Sequence, residues 1–226
     1  MRDSYCRSAR FYNPIVEPWL RSIKNQIVQE CLRLKLSRVL DVGCGTGTLA
    51  GMLRKEGIQA VGLDPSPGMI RVSRKISQGS FGLVRGRGEL LPFSSGAFHG
   101  VVFSMIIHEN PPSRRKEILE EALRVLGPRG TLIILDYHKP STASAQAARM
   151  IEYLAEWVVG GEHFRNYRQF MEEGALPGFL AHIPPERFRW QPVFKGSIAL
   201  AIYRPGYSLP PNEREAGCGG WEFPKT

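Results

Sequence analysis

Apolar positions in this 226-residue chain follow two rhythms. From residue 15 to residue 35, Ile15, Trp19, Ile23, Ile27 and Cys31 recur roughly one turn apart, as on one face of a helix. Beyond that, short and almost wholly apolar runs alternate with amphipathic stretches. SRVLDVG (37–43), QAVGLD (59–64), FGLVRG (81–86), GVVFSMII (100–107) and TLIILDYH (131–138) read as strands. TLAGMLRKEG (48–57) reads as a helix with Gly57 as its C-cap, and PGMIRVSRKIS (67–77) as one with proline in its first turn. SRRKEILEEALRVLG (113–127) is amphipathic and stops at Gly127-Pro128.

Strands apolar on both faces and alternating with helices predict an α/β fold, a doubly wound, mostly parallel sheet covered on both sides. After residue 140 the pattern turns helical and aromatic, then closes with FRWQPVF (188–194) and SIALAIYR (197–204), spaced for a hairpin that brings the sheet to seven strands. The expected organisation is one domain over 1–204. It comprises an N-terminal helical segment (1–36), a helical insertion after the fifth strand (140–186) and a Pro/Gly-rich tail (205–226). In such sheets a ligand sits outside the carboxyl ends of the strands, where Gly43–Gly47, Asp64, Gly86–Glu89, Ser104–Glu109 and Asp136–His138 fall.

Composition narrows the class. Hydrophobic residues make up 42% of the chain, no apolar run approaches the length of a membrane span, and the first residues lack a signal-peptide core. A cytoplasmic protein, monomeric or homodimeric, is the expectation. Cys6, Cys31, Cys44 and Cys218 are scattered without CxxC or nearby histidine, which argues against a zinc site and a disulfide framework; no metal is expected. The net charge of +9 is spread along residues 1–140, which hold 21 Lys/Arg against 12 Asp/Glu. No RNP-like, RGG or zinc-knuckle stretch accompanies it, so the charge reads as a solvated basic surface and not as a nucleic-acid footprint.

VLDVGCGTG (39–47) carries the cofactor argument. Glycines at 43, 45 and 47 let the chain turn sharply after a strand and approach a ligand closely, and the following helix aims its positive end at the turn. Asp64, ending the next strand, is placed to accept both ribose hydroxyls of an adenosine. A nicotinamide dehydrogenase is disfavoured by the missing GxGxxG spacing and the lack of a substrate domain.

VLDVGCGTG, VGLDPSPGMI, GELLPF, the strand ending SMIIHE and RVLGPRGTLIILD together resemble class I S-adenosylmethionine-dependent methyltransferases. The similarity is greatest to the quinone-biosynthesis C-methyltransferase branch, the type 11 methyltransferase domain. It covers residues 10–140 well and the closing hairpin loosely. The resemblance implies S-adenosylmethionine as cofactor and S-adenosylhomocysteine as product. The Gly43–Gly47 loop would cradle the methionine part, Asp64 hold the ribose, Met69 pack near the adenine, and Glu89 with its neighbours line the adenine pocket. Asp41 either contacts the ligand's amino group or braces the loop, and Cys44 serves through its backbone. The implied cofactor set is Tyr12, Asp41, Gly43, Cys44, Gly45, Gly47, Asp64, Pro65, Met69, Gly88, Glu89, Leu90 and Ser104. Two positions depart from the family pattern: Arg87 stands where an aspartate usually receives the adenine amino group, and His99 where an aspartate usually precedes the fourth strand.

HENPPSRR (108–115) contains an Asn-Pro-Pro that amino-group methyltransferases place directly after the fourth strand, followed by a stacking aromatic. Here it comes 12 residues after Phe98 and ends in Ser113, so it reads as a turn in which Asn110 or Ser113 caps the next helix. His108 and Glu109 then occupy the strand end. Methyl transfer is a displacement that needs chiefly positioning and desolvation, and a base helps for a phenol or carbon acid. His108, Glu109, Tyr137 and His138 are the candidates, with Asp136 as a buried hydrogen-bond partner and the helices of 150–182 as roof. The predicted activity is methyl transfer to a small-molecule acceptor, aromatic or quinone-like. The alternatives are a non-catalytic S-adenosylmethionine-binding or scaffold protein that kept the fold, whose dead cofactor site would show no saturable binding, and a nucleic-acid methyltransferase.

Overall fold

The computed structural model describes residues 21–139, 143–183 and 187–206. Tyr12, Ile15, Trp19, Cys6, Cys218, the start of the insertion at 140–142 and all but the first two residues of the tail lie outside the described residues.

The elements follow the predicted alternation. Helix α1 (described over 21–33) buries Ile23, Ile27 and Cys31, the face marked by the spacing. Strand β1 (Arg38–Val42) leads to α2 (Thr48–Lys55), β2 (Gln59–Asp64) to α3 (Pro67–Ser77), and then come β3 (Gly82–Arg85) and β4 (Phe98–Ser104). Helix α4 (Pro112–Val125) runs into β5 (Leu126–Tyr137); α5 (Ala143–Val159), α6 (Gly161–Glu172) and α7 (Ala175–Leu180) precede the hairpin strands β6 (Phe188–Val193) and β7 (Ile198–Tyr203). The sheet has seven strands in the order β3-β2-β1-β4-β5-β7-β6. β1 pairs parallel with β2 and β4, β2 pairs parallel with β3, and β6 pairs antiparallel with β7. This is the doubly wound, mostly parallel sheet expected, with its hairpin.

Two boundaries differ from the sequence reading. β4 ends at Ser104, although the apolar run continues to Ile107, because Met105 adopts a left-handed backbone (φ 61°). Ile106 and Ile107 are buried in a loop, so their apolarity reports burial and not extension. β5 begins at Leu126, five residues early: Gly127-Pro128 cannot prolong the helix, and the chain extends at once.

Internal contacts divide the chain into two compact units, one ending at Ser104 and taking in Lys116–Leu132, the other made of Met105–Arg115 and Ile133 onward. In the first, β1 and β2 meet in register, Asp41 opposite Gly62, and Leu40, Leu63, Leu53 and Phe103 are fully buried. In the second, Arg115 pins the loop that carries His108. Its Nε donates to the carbonyls of Ile107 (3.1 Å) and Asn110 (2.7 Å), Nη2 to that of Asn166 (2.9 Å) and Nη1 to Glu173 Oε2 (2.7 Å). The guanidinium also lies 4.8 Å from the Phe170 ring centroid, so one buried cation fastens loop 105–111 to α6.

Helix α5 is inverted. Glu152 and Glu156 are buried, whereas Met150, Leu154, Trp157 and Val158 are exposed, Trp157 to 60%. Of the aromatic residues here, Tyr167 and Phe170 of α6 are buried and Trp157 of α5 is exposed.

Candidate active site

The first candidate site is built where β1 and β2 end. Gly43, Gly45 and Gly47 all have positive φ (70°, 54° and 79°), and the loop hooks over β2 as Gly43 and Cys44 donate to the Leu63 carbonyl (2.7 and 3.0 Å). Asp64 fastens this turn. Its Oδ2 accepts from the Gly45 N–H (2.9 Å) and its Oδ1 from the Ser66 N–H (2.8 Å). Ser66 in turn caps α3, its hydroxyl accepting from the Met69 N–H (3.2 Å). One buried carboxylate thus fixes both the glycine loop and the start of the next helix. No side chain caps α2, and the N-terminus of a helix is suited to an anionic group.

This donor set fits S-adenosylmethionine. A Cβ built on Gly45 meets nothing within 4 Å, so the main chain there borders open space. Each oxygen of Asp64 accepts one backbone donor, and a carboxylate oxygen can accept more than one hydrogen bond. Asp41 is buried at the β1 end, Met69 and Glu89 are half-buried, Gly88 and Ser104 border the same unit's strand ends, and Pro65 is exposed. Leu90 is 76% exposed. Arg87 is paired with Glu89 (2.6 Å), so the residue that replaces the family's aspartate spends its charge on its neighbour. His99 hydrogen-bonds the Ser37 hydroxyl (2.7 Å), which supplies a local anchor at the position of the other departure.

Cys44 and Cys31 are buried. Burial, reinforced by neighbouring carboxylates, pushes the Cys31 thiol up to about 12 and the Cys44 thiol upward as well. Neither is a nucleophile at neutral pH. Native protein treated with iodoacetamide at pH 8 is expected to show both unmodified by mass spectrometry and both alkylated after denaturation; modification of Cys44 in the native protein contradicts this packing.

The second site lies wholly within the other unit. His108 is 2% exposed, and its Nδ1 faces Asp136 Oδ1 at 2.7 Å. Asp136 is held by the N–H groups of Ile107 (2.9 Å) and Tyr137 (2.8 Å). On the other side of the ring, His108 Nε2 lies 3.6 Å from Glu156 Oε1. Glu156 also accepts from the Tyr137 hydroxyl (2.7 Å) and meets His163 Nε2 through its second oxygen. Burial alone would lower the His108 pKa, but Asp136 and Glu156 outweigh it and push it up to about 9. Glu156 is held below its usual range, burial being overcome by His108 and His163. At neutral pH the ring is therefore an imidazolium between two carboxylates and not a free base, which changes the role expected of it. Glu109 is half-buried, and its carbonyl accepts from Asn166 Nδ2 (2.7 Å).

His138 stands apart from this cluster: its Nδ1 donates to the Gly196 carbonyl (2.9 Å), its ring lies against Trp190, and its N–H pairs with the Ser197 carbonyl. The strand has ended at Tyr137, and His138 turns into the hairpin connection. Neither Asn110 nor Ser113 caps α4 as expected, because the Asn110 amide donates to the Ile106 carbonyl (2.7 Å) and Ser113 is already inside the helix that starts at Pro112. Cysteine and histidine spacing gave no metal set, yet the fold brings His108, Glu109 and His163 together as possible ligands. Glu156 was missed, lying far along the chain from His108, whereas His163 was expected only as part of the roof. The available signal was the pair Glu152/Glu156, four apart on a helix otherwise rich in apolar residues.

Glu152 has its own consequence. Burial pushes its carboxyl from 4.5 up to about 7, although the Ser197 hydroxyl donates to it (2.5 Å). Between those pH values the unfolded chain has lost a proton that the folded chain keeps, so this group lowers stability as pH rises from about 4.5 to 7, by about 3 kcal/mol in all. Urea unfolding of Glu152→Gln is expected to match the parent near pH 4.5 and to exceed it above pH 7; parallel curves across that window would show that the carboxyl is not buried.

Residues 39–130 match the family model for a methyltransferase domain. An uncharacterised methyltransferase of Synechocystis sp. is 37% identical over 105 residues, 46% of this chain and 49% of the relative. The demethylmenaquinone methyltransferase of Thermotoga maritima is 30% identical over 143 residues, 61% of each chain. The ubiquinone biosynthesis O-methyltransferase of Xanthomonas oryzae is 29% identical over 166 residues, 71% of this chain and 67% of that one. The chain thus spans about half to two-thirds of the length of these relatives. A Pyrococcus horikoshii protein of known structure superposes with a TM-score of 0.63 at 20% identity, over 87% of this chain and 98% of that one, which shows the common fold. The glycine loop and the Asp64 clamp both lie inside the segment that matches the methyltransferase-domain model, and the fold around them is Rossmann-like.

Proposed function

We propose that the chain transfers a methyl group from S-adenosylmethionine to a small-molecule acceptor with a planar, quinone-like or phenolic ring, releasing S-adenosylhomocysteine. The observation that carries the reading is the Asp64 clamp, a buried carboxylate at the end of β2 that shapes the glycine loop. In this reading the Gly43–Gly47 loop holds the methionine part, while Met69 and Glu89 line the adenine end. The printed names of the Thermotoga and Xanthomonas relatives support the acceptor class. The cofactor supplies an electrophilic methyl on a sulfonium, so the chain's own work is to bind, align and exclude water.

For the acceptor, the second unit offers rings and a proton relay. Tyr153 and Phe164 meet edge to face with centroids 5.1 Å apart, and Phe164 stacks with Tyr167 at 6.3 Å, a surface suited to a planar ring. Tyr137, Glu156 and His163 form a chain of hydrogen bonds in which Glu156 takes up a proton from an acceptor hydroxyl and His163 shares it. His108 serves as a fixed cation that holds a developing oxyanion, oriented by Asp136.

The test is turnover. The full chain is incubated with methyl-labelled S-adenosylmethionine and a panel of demethylated quinols, catechols, small amines, transfer RNA and duplex DNA. Label in a ring compound with one equivalent of S-adenosylhomocysteine supports the reading. Label only in nucleic acid, or cofactor binding with no transfer to any of these, overturns it.

A further inference from the structure

Three side chains of the second unit converge in a way that cofactor binding does not require. His108, Glu109 and His163 each offer one ligand atom, and these atoms all lie within 4.8 Å of one another. We propose that they bind a divalent first-row transition-metal ion, with the Glu156 carboxylate beside them. The site draws on no residue of the cofactor cradle; it needs the neutral His108 imidazole, so an ion bound there takes the place of the fixed cation assigned to that ring in the proposed reaction.

The geometry points to a metal for three reasons. The first is orientation. Asp136 holds His108 through Nδ1 at 2.7 Å and is itself fixed by two backbone N–H groups, which leaves Nε2 aimed inward. A carboxylate on the far nitrogen is the usual outer partner of a metal-bound imidazole; it fixes the tautomer and strengthens the ligand.

The second is charge. Asp136 and Glu156 are buried carboxylates, and with Glu109 three acids face two imidazoles. Arg115, on the same loop and helix, is paired with Glu173. With His108 neutral, as a ligand must be, Asp136 and Glu156 lose the imidazolium that lies between them, and a divalent ion supplies the charge in its place.

The third is fit. Donors 2.0–2.2 Å from a tetrahedral ion stand about 3.5 Å apart, so closure from 4.8 Å needs movements of about 1 Å. Glu109 and His163 are only half-buried and carry the flexible end of the site, while His108 supplies the rigid end. Two imidazole nitrogens with carboxylate oxygen favour zinc, manganese, iron(II) or cobalt over magnesium or calcium, which take oxygen ligands. The half-buried side toward Glu109 and His163 leaves coordination positions for oxygen atoms of a small ligand.

The experiment is a cobalt(II) titration of the full-length, chelator-treated chain, read by visible absorption and by metal content after gel filtration. One ion per chain with a d–d band is expected, displaced by zinc. His163→Gln and Glu109→Gln should each weaken cobalt binding at least about 10-fold, with unchanged circular dichroism showing that both variants fold. Asp64→Asn, in the other unit, should bind cobalt as the parent does. No band up to about 1 mM cobalt, or a band that survives in both ligand variants, overturns the proposal.

Discussion

Asp64→Asn is expected to lose binding of S-adenosylhomocysteine by at least about 100-fold. In the parent, each carboxylate oxygen already accepts one backbone N–H, from Gly45 and from Ser66. The amide of asparagine turns one of those acceptors into a donor, so an N–H of the loop or of the helix start faces another N–H. It also removes the charge that two ribose hydroxyls would meet. Hydrogen bonds to a charged acceptor are worth about 1.5–3 kcal/mol each, so losing two costs about 3 kcal/mol or more, which is about 100-fold or beyond in affinity. Calorimetry with S-adenosylhomocysteine measures this, and a variant within about threefold of the parent would remove Asp64 from the cofactor site.

Gly47→Ala should produce the largest loss of stability. At φ 79° an L-residue is strained, and the added Cβ would stand 2.5 Å from Phe81 Cζ and closer still to the Ser73 hydroxyl, both parts of a packed interior. The left-handed backbone costs about 1–2 kcal/mol and the overpacking about 1–3 kcal/mol. For a chain of this size that lowers the melting temperature by about 5–15 °C. Gly45→Ala separates fold from function. Its φ is 54°, but its Cβ meets nothing within 4 Å, so it should cost only the backbone term of about 1 kcal/mol. Its methyl nonetheless stands in the space beside the loop where the cofactor approaches, so binding should fall while the fold survives. Gly47→Ala melting with the parent, or Gly45→Ala binding like the parent, would show that the loop is packed differently.

These two positions were legible in the sequence because both obey local rules. A glycine turn after an apolar strand and an acid ending the next strand are set by spacing along the chain, and Gly43, Gly45, Gly47 and Asp64 meet as expected. The parallel pairings of β1, β2, β3 and β4 were likewise readable from apolar runs. The end of β4 was not, because Met105 turns left-handed inside a run that stays apolar for the sake of burial. The cluster around His108 was half legible. His108 and Glu109 sit next to each other in sequence, but Glu156 and His163 join them only through the packing of α5 and α6, and no local pattern announces that. His138 misled for a similar reason: its neighbour Tyr137 does reach Glu156, but one residue later the chain leaves the strand. The inverted face of α5, with acids inside and Trp157 outside, defeats any reading that sends apolar residues to the core.

The measurement that tests the cofactor assignment most directly is amide hydrogen exchange of the full chain with and without saturating S-adenosylhomocysteine. The Asp64-clamped cradle predicts slowed exchange concentrated at Gly43–Thr48, at Asp64–Met69 and around Gly88–Leu90, the backbone that surrounds the clamp. Unchanged exchange in the glycine loop at saturating ligand, or protection confined to other segments, would contradict it.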